Sequence, residues 1–389
     1  MEKPAARGVG AAGSPDCSPR VVRRRRGSHR PVRGRLERVC EADNGPYGPS
    51  LQAGKIASRS SCRAVAAFPG YGGRAVVKRL LLASPRGYCA GVERAVETVE
   101  RALALYGRPV YVRKQIVHNS HVVDDLRGRG AVFVDSLSDV PEGATVVFSA
   151  HGIAPAVRRE AQERALTTID ATCPLVTKVH AQARRYAEAG YAVVLIGHEG
   201  HEEVEGTLGE APEAIVLVQS MEDAERVSLP QDRPLAYVTQ TTLSVDETNE
   251  IVSVLRRRFP RIEGPAREDI CYATSNRQWA VKELVREVDL LLVVGSPNSS
   301  NSQRLVDVAR ADGTPAHLVD DVHDIDESWL DGCETVGLTS GASAPERLVA
   351  EVCGWFAARG AEVREQQAVH EDVNFKLPVE LRRAEREAA

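Results

Sequence analysis

The sequence predicts an α/β protein with mostly parallel sheets. From residue 78 onward, short apolar runs alternate with amphipathic runs of helical spacing, which is typical of parallel strands covered by helices. One order of cysteine, helix, strand and polar group also occurs three times. With 389 residues and 43% hydrophobic residues, the chain is long enough for two or three domains with real cores.

Short apolar runs predict the strands, and apolar residues at helical spacing predict the main helices. The predicted strands are KRLLLAS, PVYVRK, ATVVFSA, YAVVLIG, PLAYVTQ, DLLLVVGS and ETVGLTS. The predicted helices are VERAVETVERALALYG, TKVHAQARRYAEAG and SNRQWAVKELVREV.

A threefold repeat becomes visible when the chain is aligned on three cysteines that each precede a predicted helix: Cys89, Cys173 and Cys271. The next strand is followed by a polar residue 29, 28 and 28 positions after these cysteines, at His118, His201 and Ser299. A second strand ends in polar groups again, at His151, at Thr241 and Thr242, and at Ser343. Ligands bind beyond the carboxyl ends of parallel strands, so three units facing inward would bring these groups to one central cavity.

The repeat also predicts the domain organisation. We expect three α/β domains, one for each cysteine, between a basic extension and a C-terminal tail. The predicted boundaries are 1–76 for the extension, 77–168, 169–264 and 265–362 for the domains, and 363–389 for the tail.

The N-terminal 75 residues differ from the rest in charge and composition. They carry 13 Arg and 2 Lys against 5 acidic residues, about +10, which leaves about −14 for the remainder of a chain with net charge −4. The segment lacks an apolar period, so we expect it to be disordered. A translated upstream region is favoured over a targeting segment or a basic arm for nucleic acid.

Composition excludes several classes of protein. An acidic body argues against a nucleic-acid surface, and no apolar run approaches the roughly 20 residues of a membrane helix. Eight cysteines are too sparse for a disulfide scaffold in a chain of this length. We therefore expect a cytoplasmic, monomeric protein, with Cys333 and Cys353 as incidental thiols.

Three thiolates from three separate units suggest a metal group. Structural zinc usually takes four ligands in close pairs, whereas three cysteines can hold an iron–sulfur cluster and leave one iron open to substrate. Spacing alone leaves both alternatives open.

The polar groups indicate an anionic ligand and a proton donor. SPNSSNSQRL places serines and Asn301 at a helix start, where N–H groups suit a diphosphate, although serine also caps helices for structural reasons. Three histidines would add donors. In GHEGHEEVEGT, a Glu203 beside a diphosphate would have a raised pKa and could donate a proton. Two alternatives to a proton donor remain for this segment: an acidic loop exposed to solvent, or a zinc site.

Nine motifs in sequence, followed by an NFKLPVELR tail, resemble the 4-hydroxy-3-methylbut-2-enyl diphosphate reductases of the IspH or LytB family. The motifs are PRGYCAGVERA, IVHNSHVV, FSAHGI, DATCPLVTKVH, GHEGHEEVEGT, VTQTTLSVDET, ICYATSNRQ, GSPNSSNSQRL and GASAPE. The resemblance runs from about Leu80 to about residue 382. Pro297 stands where Lys is frequent, and Glu202 where Pro is frequent, and neither is expected to alter a position that carries chemistry.

The resemblance implies a trefoil of three α/β domains around a [4Fe–4S] cluster bound by Cys89, Cys173 and Cys271, with one iron open. It implies reductive dehydroxylation of (E)-4-hydroxy-3-methylbut-2-enyl diphosphate to isopentenyl and dimethylallyl diphosphate, the last step of the non-mevalonate isoprenoid pathway. Electrons would come from a ferredoxin or flavodoxin. Glu203 would deliver the proton and Thr241 would position substrate or water. The substrate-binding set is His118, His151, His201, Thr242, Ser299, Ser300, Asn301 and Ser343.

Two other functions remain as alternatives at this point. One is a non-redox iron–sulfur hydro-lyase acting on a phosphorylated small molecule, which would need no electron donor. The other is a binding protein with structural zinc or without metal.

Overall fold

The computed structural model describes residues 77–388, in which strands and helices alternate as predicted. The expected disorder of residues 1–76 lies outside the described residues. Within that part of the chain, every strand pairing is parallel, which confirms the α/β class. None of the helices described there has the length and apolar character needed to cross a bilayer.

The strands confirm all seven predicted runs and add shorter strands that the sequence analysis did not identify. In chain order they are β1 (Arg79–Ser84), β2 (Val110–Arg113), β3 (Ala131–Val134), β4 (Thr145–Phe148), β5 (Thr167–Asp170), β6 (Ala192–Ile196), β7 (Ile215–Val218), β8 (Leu235–Thr239), β9 (Leu290–Val294), β10 (Ala316–Val319), β11 (Thr335–Ser340) and β12 (Glu362–Gln367).

The three predicted helices are confirmed as α1, α4 and α8. The helices are α1 (Ala90–Tyr106), α2 (Ser120–Gly128), α3 (Pro155–Glu163), α4 (Pro174–Glu188), α5 (Glu202–Leu208), α6 (Met221–Arg226), α7 (Val245–Arg258), α8 (Tyr272–Leu284), α9 (Ser300–Ala311), α10 (Glu346–Ala358) and α11 (Val379–Ala388).

Three sheets share one strand order, which gives the sequence repeat its structural form. The orders are β3-β2-β4-β5, β7-β6-β8 and β10-β9-β11-β1-β12. In each sheet the strand that follows a cysteine-bearing helix is flanked by the next two strands of its unit. The polar residues of the repeat therefore lie at the carboxyl ends of two neighbouring parallel strands.

The segment before each cysteine pairs with the sheet of the preceding unit. β5, before Cys173, pairs with β4 of the first sheet. A bridge joins Glu263, before Cys271, to Ala236 of β8 in the second sheet. β1, before Cys89, pairs with β11 and β12 of the third. Each cysteine thus lies at a junction between two units, and the first strand closes the ring.

This topology corrects the predicted boundaries. Residues 77–84 were assigned to the first domain, but β1 lies inside the third sheet, and β12 and α11 lie in the segment predicted as a tail. The reason is burial on both faces of β1: Leu80 and Leu82 pack into one apolar core, and Leu81 and Ala83 into the core on the opposite face. A strand that is apolar on both sides requires a central position between covering helices.

Candidate active site

The three predicted cysteines occupy equivalent positions, each at the N-cap of a helix: Cys89 before α1, Cys173 before α4 and Cys271 before α8. The positive end of a helix dipole favours a thiolate at this position. Each backbone N–H donates to a carbonyl at the second strand end of the preceding unit, over 3.2 Å to Ala342, 2.9 Å to Ala150 and 3.1 Å to Thr241.

The cysteines line one cavity with a volume of about 90 Å³, well above the roughly 10–15 Å³ that one water requires. Every predicted site residue lines it: Cys89, Cys173, Cys271, His118, His151, His201, Glu203, Thr241, Thr242, Ser299, Ser300, Asn301 and Ser343. The convergence predicted from the repeat is therefore observed.

The donor chemistry of the cavity fits a cationic, sulfur-bound group. Burial, together with the nearby Cys89 thiol, raises the pKa of Cys173 to about 12 and that of Cys271 to about 11. These two thiols therefore keep their protons unless a positive centre replaces them, and soft sulfur donors select iron–sulfur clusters or zinc. Gly91 keeps the space clear, because a Cβ there would lie 2.8 Å from the Cys173 sulfur.

Three imidazole rings form one side of the cavity, which we call the histidine wall (His118, His151, His201). The rings of His118 and His151 stack with centroids 3.9 Å apart, and the His201 ring meets them edge-on. Burial and the neighbouring imidazoles lower the pKa of His118 to about 2 and that of His201 to about 3. Both ring nitrogens of His118 are buried, and neither has a hydrogen-bond partner among residues 77–388.

Hydrogen bonds fix the tautomers of the other two histidines. His201 Nδ1 accepts the Glu203 backbone N–H at 3.1 Å, so a neutral His201 carries its proton on Nε2. His151 Nδ1 lies 3.2 Å from a carboxylate oxygen of Glu202, which holds a proton on that nitrogen.

Glu202, which stands where Pro is frequent, contacts a predicted site residue. Its carboxylate lies 3.2 Å from His151 Nδ1 and accepts from Ser149 Oγ at 3.1 Å. Whether this contact alters the chemistry stays a prediction. Burial acts to raise the pKa of Glu202, but the contacts with His151 and Ser149 outweigh it and the net shift is downward.

Glu203 is buried and held by one residue. Its two carboxylate oxygens accept from the Thr241 backbone N–H at 2.7 Å and from Thr241 Oγ1 at 3.0 Å. Burial outweighs these bonds and raises the pKa of Glu203 to about 7. The cavity thus contains a carboxylic acid that retains its proton near neutral pH.

Hydroxyl and amide groups form another part of the lining, which we call the hydroxyl wall (Ser299, Asn301, Ser343). Ser299 caps α9 and accepts from the Ser302 N–H at 3.3 Å. Asn301 accepts the Ala342 N–H at 2.8 Å and donates to Thr274 Oγ1 at 3.3 Å. Ser343 donates to the His118 carbonyl at 2.9 Å, which joins the two walls. Beside this wall, Ser300 Oγ lies 3.2 Å from Thr242 Oγ1.

The zinc alternative for the acidic loop does not match the positions of its side chains. The Glu203 carboxylate is already bonded to Thr241, and the close group of possible ligands is instead His118, His151 and Glu202, within 4.8 Å of one another. Because the His118 and His151 rings stack, their in-plane lone pairs lie in nearly parallel planes and do not converge on one ion. The arrangement suits an anion bound by several donors better than a metal.

Sequence reasoning missed several cavity residues. Thr274 Oγ1 lies 3.2 Å from the Cys271 sulfur and its N–H donates to that sulfur at 3.4 Å. Cys271 is the N-cap residue and its sulfur accepts from the N–H three residues later, so that spacing is the signal that could have identified Thr274. Gly91 and the apolar side chains of Val92, Val117 and Val176 also line the cavity, and nothing in their spacing marks them as site residues.

Comparison with known proteins extends the match beyond the cavity. A family model described as LytB protein matches residues 80–357. A 4-hydroxy-3-methylbut-2-enyl diphosphate reductase of Acidothermus cellulolyticus is 61% identical over 79% of this chain and 91% of its own. One from Mycobacterium tuberculosis is 56% identical over 86% and 98%.

Solved structures agree with this relationship. The E-1-hydroxy-2-methyl-but-2-enyl-4-diphosphate reductase of Plasmodium falciparum superposes with a TM-score of 0.77 at 41% identity, over 80% of this chain and 99% of that one. A second structure, described as the terminal enzyme of the non-mevalonate pathway, gives a TM-score of 0.53 at 31% identity over 71% and 98%. The chain belongs to the LytB family of 4-hydroxy-3-methylbut-2-enyl diphosphate reductases.

Proposed function

We propose that this chain reduces (E)-4-hydroxy-3-methylbut-2-enyl diphosphate to isopentenyl diphosphate and dimethylallyl diphosphate, the last step of the non-mevalonate isoprenoid pathway. The observation that carries the proposal is the 56–61% identity to reductases of this name over 91–98% of their length. The overall change consumes two electrons and two protons and releases the allylic hydroxyl as water.

Cys89, Cys173 and Cys271 would hold a [4Fe–4S] cluster, with the three units arranged around it as a trefoil. The placement of the three cysteines supports this assignment, because each is the N-cap residue of a helix and all three line the same cavity. When bound, the cluster supplies electrons and a Lewis-acidic iron with no protein ligand.

The histidine wall would bind one part of the substrate diphosphate. The free nitrogens of His118 can donate one N–H, and His201 presents its Nε2–H because Nδ1 is occupied. Glu202 orients His151 through Nδ1. Hydrogen bonds to a charged ligand contribute about 1.5–3 kcal/mol each, so these donors can select a diphosphate over a neutral head group.

The hydroxyl wall would bind the other part of the substrate diphosphate. α9 begins at Ser300, and the dipole of the helix, with the N–H groups of its first turn that Ser299 does not cap, favours an anion. The polar side chains of Ser299, Ser300, Asn301 and Ser343 line that helix end, with Thr242 beside them.

Glu203 would supply the proton. As an acid with a pKa near 7, it holds a proton at neutral pH, and a nearby diphosphate would raise its pKa further through like-charge repulsion. Thr241 fixes both oxygens and so determines where the proton is presented. We expect a ferredoxin or flavodoxin as electron donor and a monomeric, cytoplasmic enzyme.

Dependence on reductant tests this function against the hydro-lyase alternative. The protein, purified anaerobically, is assayed for both diphosphate products with and without a chemically reduced flavodoxin. The proposal predicts products only with the reduced donor. Product formation at the same rate without a reductant would establish the non-redox reaction instead.

A further inference from the structure

Three cations lie in the early turns of the three cysteine-bearing helices. Arg94 follows Cys89 by five residues, Lys178 follows Cys173 by five, and Arg277 follows Cys271 by six. Each reaches across a junction between units to backbone carbonyls. The sequence analysis singled out none of them, because Arg or Lys on a helix usually lies in solvent.

The contacts of Arg94 and Lys178 end on the loops before the next cysteine. Arg94 donates to the carbonyls of Ala171 at 2.9 Å and Thr172 at 3.0 Å, directly before Cys173. Lys178 donates at 2.8 Å to the carbonyls of residues 267 and 268, before Cys271, and lies 3.1 Å from the Asp269 carboxylate.

Arg277 completes the set. Its side chain is fully buried and donates to the Gly87 carbonyl at 2.8 Å, two residues before Cys89. It also bonds the Glu371 carboxylate at 3.1 Å. The order is therefore cyclic: each helix contacts the loop that presents the cysteine of the following unit, and the third returns to the first.

The hydrogen bonds from these three cations are suited to holding the loops before the cysteines in place. The loop carbonyls lie where a strand has ended and a helix has not begun, so they need donors from elsewhere. A charged donor forms a stronger bond than a neutral one.

We propose that Arg94, Lys178 and Arg277 form a closed ring of positioning residues, in which each cysteine is held in place by the helix of the preceding unit. The ring keeps three sulfurs from three units at the separation that one shared group requires. The link to a cluster rests on the proposed function, whereas the cyclic contacts stand independently of it.

Lys178→Met tests the ring, because Lys178 is a third exposed and methionine is about as good a helix former as lysine, so α4 should keep its structure. Hydrogen exchange is measured by mass spectrometry on the anaerobically purified full chain. We expect exchange in residues 267–271 to become roughly tenfold faster, the scale of one lost charge-assisted bond, with no change at Cys173 on the variant's own helix. Lys178→Arg should restore protection.

Two controls separate positioning from general destabilisation. Arg185→Met changes an exposed cation on the same helix and should alter neither loop. Lys178→Met combined with Asp269→Asn removes the carboxylate left unpaired, and the faster exchange should persist. Faster exchange around Cys173, or no local change in residues 267–271, would overturn the ring.

A second readout connects the ring to the cluster. Iron release to a chelator should be faster from Lys178→Met than from Arg185→Met, and equal rates would show that the ring does not position ligands. If the unaltered chain binds no iron at all, the proposed function fails, while the exchange pattern still decides whether the ring exists.

Discussion

The two walls of the cavity differ in how completely their polar groups are bonded within the protein. In the histidine wall, both His118 ring nitrogens are buried without a partner among the described residues. In the hydroxyl wall, Asn301 and Ser343 already bond Ala342, Thr274 and His118. Because unpaired buried polar groups are costly, the comparison predicts that His118 serves a ligand, whereas the hydroxyl wall also stabilises the fold.

Glu203→Gln should have the largest effect, and it leaves both walls in place. The amide can keep both contacts with Thr241 but cannot release a proton, so turnover should fall by about 10²–10⁴-fold with little change in substrate affinity. Steady-state kinetics and a direct binding measurement check this. Near-normal turnover would mean that another group is the donor.

The same residue predicts a pH dependence. Because burial raises the pKa of Glu203 to about 7, its acid form persists up to that pH and is lost above it. Turnover of the unaltered protein should therefore decline as the pH rises through about 7. With the diphosphate bound, the pKa of Glu203 is raised further by like-charge repulsion, so the decline should occur at a somewhat higher pH. In Glu203→Gln, the residual rate should not show that decline. If the variant showed the same decline in turnover above pH 7, the decline would have to come from the titration of another group.

His118→Phe tests the unpaired side of the comparison. The ring can still stack on His151 while both nitrogens are lost, so KM should rise by about ten- to a hundredfold. The free protein should unfold at an equal or higher temperature, since unpaired buried nitrogens have been removed. His121→Phe, at a partly exposed histidine that pairs with Asp321, is the control and should leave KM unchanged. A stability loss without a KM effect would make His118 structural.

Asn301→Ala tests the bonded side. Loss of its side chain leaves the buried Ala342 N–H without its acceptor, which should lower the free energy of unfolding by about 1–3 kcal/mol. Denaturant titration measures this. An Asn301→Ala variant as stable as the parent, yet weakly binding, would show that both walls serve only the ligand.

Glu202→Pro should have the smallest effect. Proline is tolerated at the first position of a helix, where Glu202 lies, so the change removes the carboxylate beside His151 and retains α5. We expect KM to rise by about two- to tenfold, as for one lost hydrogen bond, with kcat nearly unchanged. An unaltered KM would leave the contact without a role in binding.

The repeat of the three cysteines predicted the cavity because parallel strands place their carboxyl ends together, whichever way the units are joined. It did not predict that β1 would enter the third sheet, since that pairing joins residues more than 250 positions apart. The short edge strands β3 and β7 also escaped notice, because four residues with exposed members give little periodicity. Glu202 and Lys178 were missed because their partners lie on other elements.

The most direct test of the account is the content of iron and acid-labile sulfide in three proteins purified anaerobically, each paired with turnover by a reduced donor. The unaltered chain and Cys333→Ser, whose thiol contacts Trp329 outside the cavity, should contain about four of each per chain and form product. Cys173→Ser should lose both cluster and turnover. A Cys173→Ser protein that retained its iron and full turnover would contradict the three-cysteine site.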